Sequence, residues 1–334
     1  MDPVTHLLAS GALGKAGIGR GERLALPMLL VAGAAPDVDL LSRVAGAHAY
    51  LVLGHALAHS LLGAAVLVTL LAAAATKVSG KFMKIPVPFP RAAMICGMGV
   101  GAHLLMDLCA NDPVELLWPF SARPFSWDWT TYVDPWILAI LVAGLLLPAL
   151  FALVGEEIGE KKRKRGPGYG AIVALAALVL YFGARGMMHA SAVKLADARE
   201  YHGAAPLTTS AFPAANSIFK WRGVIATANT YEIVEVPVGP NSYFDADRSR
   251  TFYKPEASDA LTAAENTKTA QEFVAHAQLP LATLDSTDSG YHFEVHDLRF
   301  PYEAGNGGDV YVVVELNRQL QVTDEEFRSS SSSR

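Results

Sequence analysis

Four long apolar runs dominate the first 190 residues, at about 50–76, 92–110, 135–154 and 169–189. A helix needs about 20 apolar residues to cross a hydrocarbon core. In lipid, each backbone polar group must find its partner inside the protein, so such runs are read as spanning helices. Two shorter runs, Val4 to Leu13 and Leu24 to Ala35, fall below that length and are joined by the glycine-rich stretch from Gly14 to Gly21. They are expected to form a helical hairpin packed within the bundle. The expected fold class is mostly α: a polytopic membrane helix bundle over residues 1–190, followed by a small extracytoplasmic β-rich domain over 191–328. Residues 329–334 are expected to be a serine-rich, disordered tail.

Charge orients the bundle. The whole chain is 51% hydrophobic and 18% charged, against roughly 25% charge in an ordinary soluble protein. Lys77, Lys81, Lys84 and Arg91 follow the first long run, and Lys161 to Arg165 lie between the third and fourth. Positive loops stay in the cytoplasm, so both are assigned there, together with Lys15, Arg20 and Arg23 at the hairpin turn. The net charge of −5 and the lack of a basic stripe with interleaved aromatics argue against a nucleic-acid partner. Cys96 and Cys109 are read as small buried residues rather than a disulfide framework.

Beyond Asp197 the apolar bias ends. Ala204 to Ala215 reads as turn-rich, and strands are expected at 221–227, 231–236, 242–244, 292–296 and 310–316. Asn306-Gly307-Gly308 supplies a hairpin signal. A helix is expected from Asp259 to His276, capped by Ser258. His292 and His296 are read as an ordinary solvated strand face.

The residues that do not belong in apolar sequence are histidines and aspartates. They are His6, Asp37 and Asp39, then His55 and His59, then His103 and Asp107, then His189. Ionisable groups at membrane depth are costly unless paired, hydrated or ligated. His55/His59 and His103/Asp107 are each four apart, so each pair is expected to share one helix face, on two different helices. With the charge-based orientation, all eight fall at the outer end of the bundle. Imidazole with carboxylate suits Zn²⁺, with Mn²⁺ or Fe as other choices, and the number of donors suits two or three ions. Metal candidates are therefore His6, Asp37, Asp39, His55, His59, His103, Asp107 and His189. Catalytic candidates are Asp37, His55 and Arg185, with surplus carboxylates available to orient histidine or act as general base. Arg123, Arg185 and Arg222 are candidate phosphate clamps. Trp118, Trp127, Trp129, Tyr132 and Trp136 read as an interfacial aromatic belt.

Thr5-His6, Pro36-Asp37-Val38-Asp39, His59-Ser60 and His103-Leu104-Leu105-Met106-Asp107 resemble the YdjM-like family of inner-membrane proteins, described as metal-dependent hydrolases. Leu117-Trp118-Pro119-Phe120 and Asp134-Pro135 resemble its later segments, and Asn216 with Trp221 to Val224 resembles the extra domain of longer members. The resemblance implies a metal-binding protein of a prokaryotic inner membrane. His55 departs from it, standing where the family has arginine, so it has a second reading as a group that binds substrate phosphate. A more distant resemblance, on the His103-x-x-x-Asp107 step, is to zinc-dependent phospholipase C and P1-type nucleases. It implies phosphoester hydrolysis, and the absence of His-Glu-x-x-His counts against an ordinary zincin. The expected function is a membrane-embedded metal-dependent phosphoesterase acting on a lipid or lipid-linked substrate at the outer face. The alternatives are a divalent-metal transporter and a membrane scaffold with a structural metal.

Overall fold

The computed structural model describes residues 1–83, 86–157, 168–215, 217–239, 242–301 and 310–329. The chain divides into two compact units. One comprises residues 1–39, 55–119 and 125–187, and the other 40–54, 120–124 and 188–334.

The first unit is helical. Its first helix, α1 (Pro3–Ala16), starts at Pro3, whose missing N–H costs nothing there. Asp2 caps it by accepting from Thr5 N at 3.0 Å, and Gly17 ends it at φ 113°. Helix α2 (Ala25–Ala34) runs on into a 3-10 stretch (Pro36–Ala45). Ala25–Ala45 together has the length and composition to cross a membrane, so the second short run is longer than its apolar core suggests. After α3 (Ala47–Leu53), which belongs to the second unit, the first unit resumes with α4 (Leu61–Phe82) and α5 (Phe89–Cys109). Helix α6 (Pro135–Glu157) begins at Asp134, which accepts from Trp136 N and Ile137 N. Helix α7 (Tyr169–Asp197) continues past residue 189, where the apolar run ends. Among the described residues, four helices are long and apolar enough to cross a membrane: Ala25–Ala45, α4, α5 and α7. The described apolar part of α6, Pro135–Pro148, is shorter.

The expected single helix over 50–76 is corrected. It breaks at Gly54, and residues 54–59 form turns. Ser60 then restarts a helix, its extended backbone leaving its hydroxyl to accept from Gly63 N at 2.9 Å. His55 and His59 therefore do not share a helix face. Leu29, Ala32, Ile95 and Val100 form the buried seam of α2 and α5, while Ile137, Leu141 and Leu178 pack with Ala9 and Ala12 of α1.

The second unit holds two antiparallel four-stranded sheets. In the first, β1 (Thr208–Pro213), β2 (Lys220–Ala226), β3 (Thr230–Pro237) and β4 (Arg250–Tyr253) lie in chain order. The second orders β5 (Pro280–Ser286), β6 (Gly290–Asp297), β7 (Val310–Asn317) and β8 (Val322–Ser329). Trp221, Ile225 and Val236 pack on Ala192 and Ala196, while Phe293, Val312 and Val314 pack on Leu261 and Phe273. Three local expectations change. Ala204 to Ala215 contains strand β1, and residues 242–244 are not a strand. The helix expected over 259–276 is two, α8 (Asp259–Glu265) and α9 (Lys268–His276). Thr267 causes that break, because its hydroxyl accepts from Ala270 N and caps a new helix. Lys84, Lys161 to Arg165, Asn216, Asn306 to Gly308 and residues 330–334 lie outside the described residues.

Candidate metal centre

Two helices, a turn and a 3-10 stretch of the first unit bring polar side chains to one buried point. His6 comes from α1, and His103 and Asp107 from successive turns of α5. His59 comes from the turn ahead of α4, and Asp37 and Asp39 from the 3-10 stretch after α2. His6, Asp39, His59, His103 and Asp107 are all buried.

The backbone sets the imidazole tautomers. His103 Nδ1 lies 2.7 Å from Gly33 O. A carbonyl only accepts, so Nδ1 carries the proton and Nε2 is turned inward. A glycine is required at 33, since a Cβ there would lie 1.8 Å from Ser10 Oγ as α1 and α2 close on each other. His59 Nδ1 lies 3.1 Å from Asp39 Oδ2, which also accepts from Ala58 N at 2.6 Å. The carboxylate thus holds the His59 ring as an orienting partner holds a ligand imidazole.

The inward atoms crowd together. His59 Nε2 and His103 Nε2 are 3.2 Å apart. Asp107 Oδ2 is 2.9 Å from His103 Nε2 and 3.4 Å from His59 Nε2, yet has no hydrogen bond of acceptable geometry. With both Nδ1 atoms protonated toward oxygen, three acceptors face one another. Ligands about 2.0–2.1 Å from a tetrahedral Zn²⁺ are separated by about 3.3 Å. The observed spacing matches that figure, and so does the donor chemistry, so these residues fit a borderline divalent cation.

A second group shares the first. The ligand atoms of His6, Asp37 and His103 lie within 4.8 Å of one another, as do those of His59, His103 and Asp107. The His6 and His103 rings stack at 3.7 Å. His6 Nε2 is 3.0 Å from Asp107 Oδ1, which also receives the Met1 ammonium at 2.6 Å. His6 Nδ1 and Asp37 Oδ2 are buried without a hydrogen-bond partner. Because His103 has one inward nitrogen, the two groups form one extended site, with the two oxygens of Asp107 facing its two halves.

Other expected residues sit elsewhere. The His55 ring meets that of His59 edge-on at 5.0 Å, and its Nε2 is 3.5 Å from Asp112 Oδ2. Arg185 is buried, with Nε donating to Trp129 O at 2.8 Å. Asp134 takes the Tyr181 hydroxyl at 2.8 Å besides capping α6. His189 belongs to the second unit, edge-on to Trp221 at 5.4 Å. Asp112, Glu115 and Gly33 were not singled out by sequence. Glu115 N donates to His55 O at 3.0 Å, and burial raises the Glu115 carboxyl to about 7. Nothing in Cys109-Ala-Asn-Asp112-Pro marks Asp112 apart from a loop acid; only the fold brings it to His55.

The family model of the YdjM inner membrane protein matches residues 1–192, more than half of the chain, so the chain belongs to that family. The matched region contains every member of the site. No curated protein matches the chain, and no solved structure does. The expected likeness to zinc phospholipase C and P1 nuclease is not shown by either comparison.

Proposed function

We propose that this member of the YdjM inner membrane protein family is a metal-dependent hydrolase that cleaves phosphoesters of lipid or lipid-linked molecules. The observation that carries the reading is the meeting of His59 Nε2, His103 Nε2 and Asp107 Oδ2 within 3.4 Å, each an acceptor aimed at the same point. His59, His103 and Asp107 would hold one ion, and His6 and Asp37, with the second oxygen of Asp107, a neighbouring one. A Zn²⁺-type cation supplies Lewis-acid polarisation of phosphoryl oxygens and a lowered pKa for water.

The remaining chemistry belongs to the chain. Asp39 fixes the His59 ring and Gly33 O fixes His103, so the donor atoms keep their aim without reorganisation. Asp37 faces the same point and is the carboxylate suited to take a proton from attacking water. His55, held beside Asp112 and against His59, is placed to meet substrate at the edge of the cluster. A shared donor set of two halves suits a phosphoester, whose attacking and leaving oxygens both need charge stabilisation. Lys15, Arg20, Arg23, Lys77, Lys81 and Arg91 mark the cytoplasmic end by the positive-inside rule. The site then faces outward, and the β-rich domain is extracytoplasmic. Labelling of cysteines placed at positions 164 and 245 in intact cells tests that orientation, and reaction only at 164 overturns it.

The functional test is metal analysis of protein purified without chelators, followed by turnover of phospholipids, isoprenyl phosphates and generic phosphodiesters with Zn²⁺ or Mn²⁺. Bound transition metal and metal-dependent phosphate release are expected, both lost in His103→Ala. Metal uptake into liposomes without turnover of any substrate would replace the hydrolase with a transporter.

A further inference from the structure

At the opposite end of the α1–α2 hairpin from the imidazoles, residues 14–26 form a recess of about 240 Å³. Lys15 is nine residues along α1 from His6, about 14 Å of helix. The recess is lined by Lys15, Arg20 and Arg23, all exposed, and by one acid, Glu22. That acid is already engaged: Glu22 Oε1 lies 2.9 Å from Arg91 Nε. None of the three lining cations pairs with a carboxylate among the described residues.

The turn that holds them is tightly built. Arg91 donates to Arg20 O at 3.1 Å, tying the turn to the start of α5. Lys15 O accepts from Gly168 N at 3.0 Å, tying it to the chain just ahead of α7. Gly19 has φ 72°, and a Cβ there would lie 2.6 Å from the Ala25 Cβ, so the loop turns sharply against the start of α2. Helix α2 begins at the recess with no side-chain cap, adding its positive end to the three cations. Three like charges in one short turn repel, and an anion among them relieves that repulsion. A recess this small suits a compact headgroup rather than a drug-sized ligand.

We propose that this recess binds a phosphate group, carried by an anionic phospholipid headgroup or present as free phosphate. The site is separate from the metal cluster and stands whether or not the cluster binds metal.

The test uses the full chain in detergent and native mass spectrometry with three probes: phosphatidylglycerol, zwitterionic phosphatidylcholine and inorganic phosphate. The wild type is expected to retain phosphatidylglycerol, or phosphate, in preference to phosphatidylcholine. Each cation near an anionic headgroup contributes roughly fivefold, so Lys15→Gln/Arg20→Gln/Arg23→Gln together should weaken binding on the order of a hundredfold. Arg20→Gln and Arg23→Gln alone should weaken it in smaller steps, and the exchange Arg20→Lys/Arg23→Lys should keep most of it. Competition by inorganic phosphate assigns the site to free phosphate, and its failure assigns the site to the lipid headgroup. Equal binding by the wild type and the triple glutamine variant, or no preference over phosphatidylcholine, overturns the proposal. Bound metal should be unchanged in the triple variant, which separates this result from the hydrolase reading.

Discussion

Imidazoles and carboxylates gather twice in this chain, once where α1 and α5 meet the 3-10 stretch after α2 and the turn before α4, and once across strands β6 and β7, and the two gatherings are wired differently. On the sheet, donors and acceptors alternate. Glu294 meets His292 Nε2 at 3.1 Å through one oxygen and His296 Nε2 at 3.0 Å through the other. Glu315 meets His292 Nδ1 at 2.5 Å. Around His59 and His103 in the helical cluster the imidazole protons point outward, to Gly33 O and Asp39, and acceptors face acceptors, while the other oxygen of Asp107 takes the Met1 ammonium. Residue type does not distinguish a ligand set from an ion-pair network. The direction of the outer hydrogen bonds does.

The largest expected effect follows from Asp107, whose two oxygens face both halves of the cluster. Asp107→Asn keeps the shape but replaces one acceptor with an N–H₂ donor aimed at imidazole nitrogens or at an ion. Metal retained after dialysis should be lost and turnover should fall on the order of a thousandfold, the scale of several kcal/mol of lost charge stabilisation. Glu294→Gln should leave both unchanged. Plasma mass spectrometry on the two variants side by side checks this, and metal content that follows Glu294 instead breaks the distinction between the two gatherings.

A smaller effect is expected one bond further out. Asp39→Asn leaves His59 in place but removes the charge that holds its Nδ1 proton. Orienting partners of this kind contribute roughly 10- to 100-fold in metal affinity. Competition titration with a zinc chelator should show a loss in that range, with stoichiometry restored at high free Zn²⁺. Unchanged affinity would mean that the Asp39 charge does not hold the ring in its ligating orientation.

How far these residues could be read in advance depended on what fixes them. His103 and Asp107 were legible because α5 is a regular helix over both, so a spacing of four is a statement about geometry. His55 and His59 have the same spacing but sit in turns, because Gly54 and the Ser60 cap interrupt the apolar run. His59 still reaches the cluster, held there by Asp39, a contact across 20 positions that no local pattern encodes. Apolar length located the helices at 92–110 and 169–189, but Gly54 and Ser60 break the run at 50–76, the described apolar part of α6 is shorter than a span, and a 3-10 stretch prolongs α2 past the point where polar Asp37 and Asp39 end its apolar run. In the β-rich unit, β1 was hidden by Pro206 and Pro213 at its flanks, which read as loop although Pro213 occupies the last strand position.

The smallest effect concerns acidity on the β6–β7 network. Glu294 is brought down to about 2 by its hydrogen bond to His296, with burial opposing and His292 adding to the shift. Burial opposes charge on His292, but its bonds to Glu315 and Glu294 prevail and raise its pKa. The signs give a window. The Glu294 contribution is present above its unfolded value of 4.5 and disappears as pH falls toward about 2. That of His292 is complete below its unfolded value of 6.5 and disappears as pH rises through the higher folded value. Both operate together between 4.5 and 6.5. Hydrogen exchange on the full chain, corrected for the intrinsic pH dependence of amide exchange, should show the β6 and β7 amides best protected in that window and less so on either side. Both partners are partly exposed, so Glu294→Gln should cost only about 1 kcal/mol there and flatten the acid limb. Protection that rises steadily from pH 5 to 8 in the wild type would show that His292 is neutral in the fold, and the sheet network would then be held by a different set of protons from the one its distances indicate.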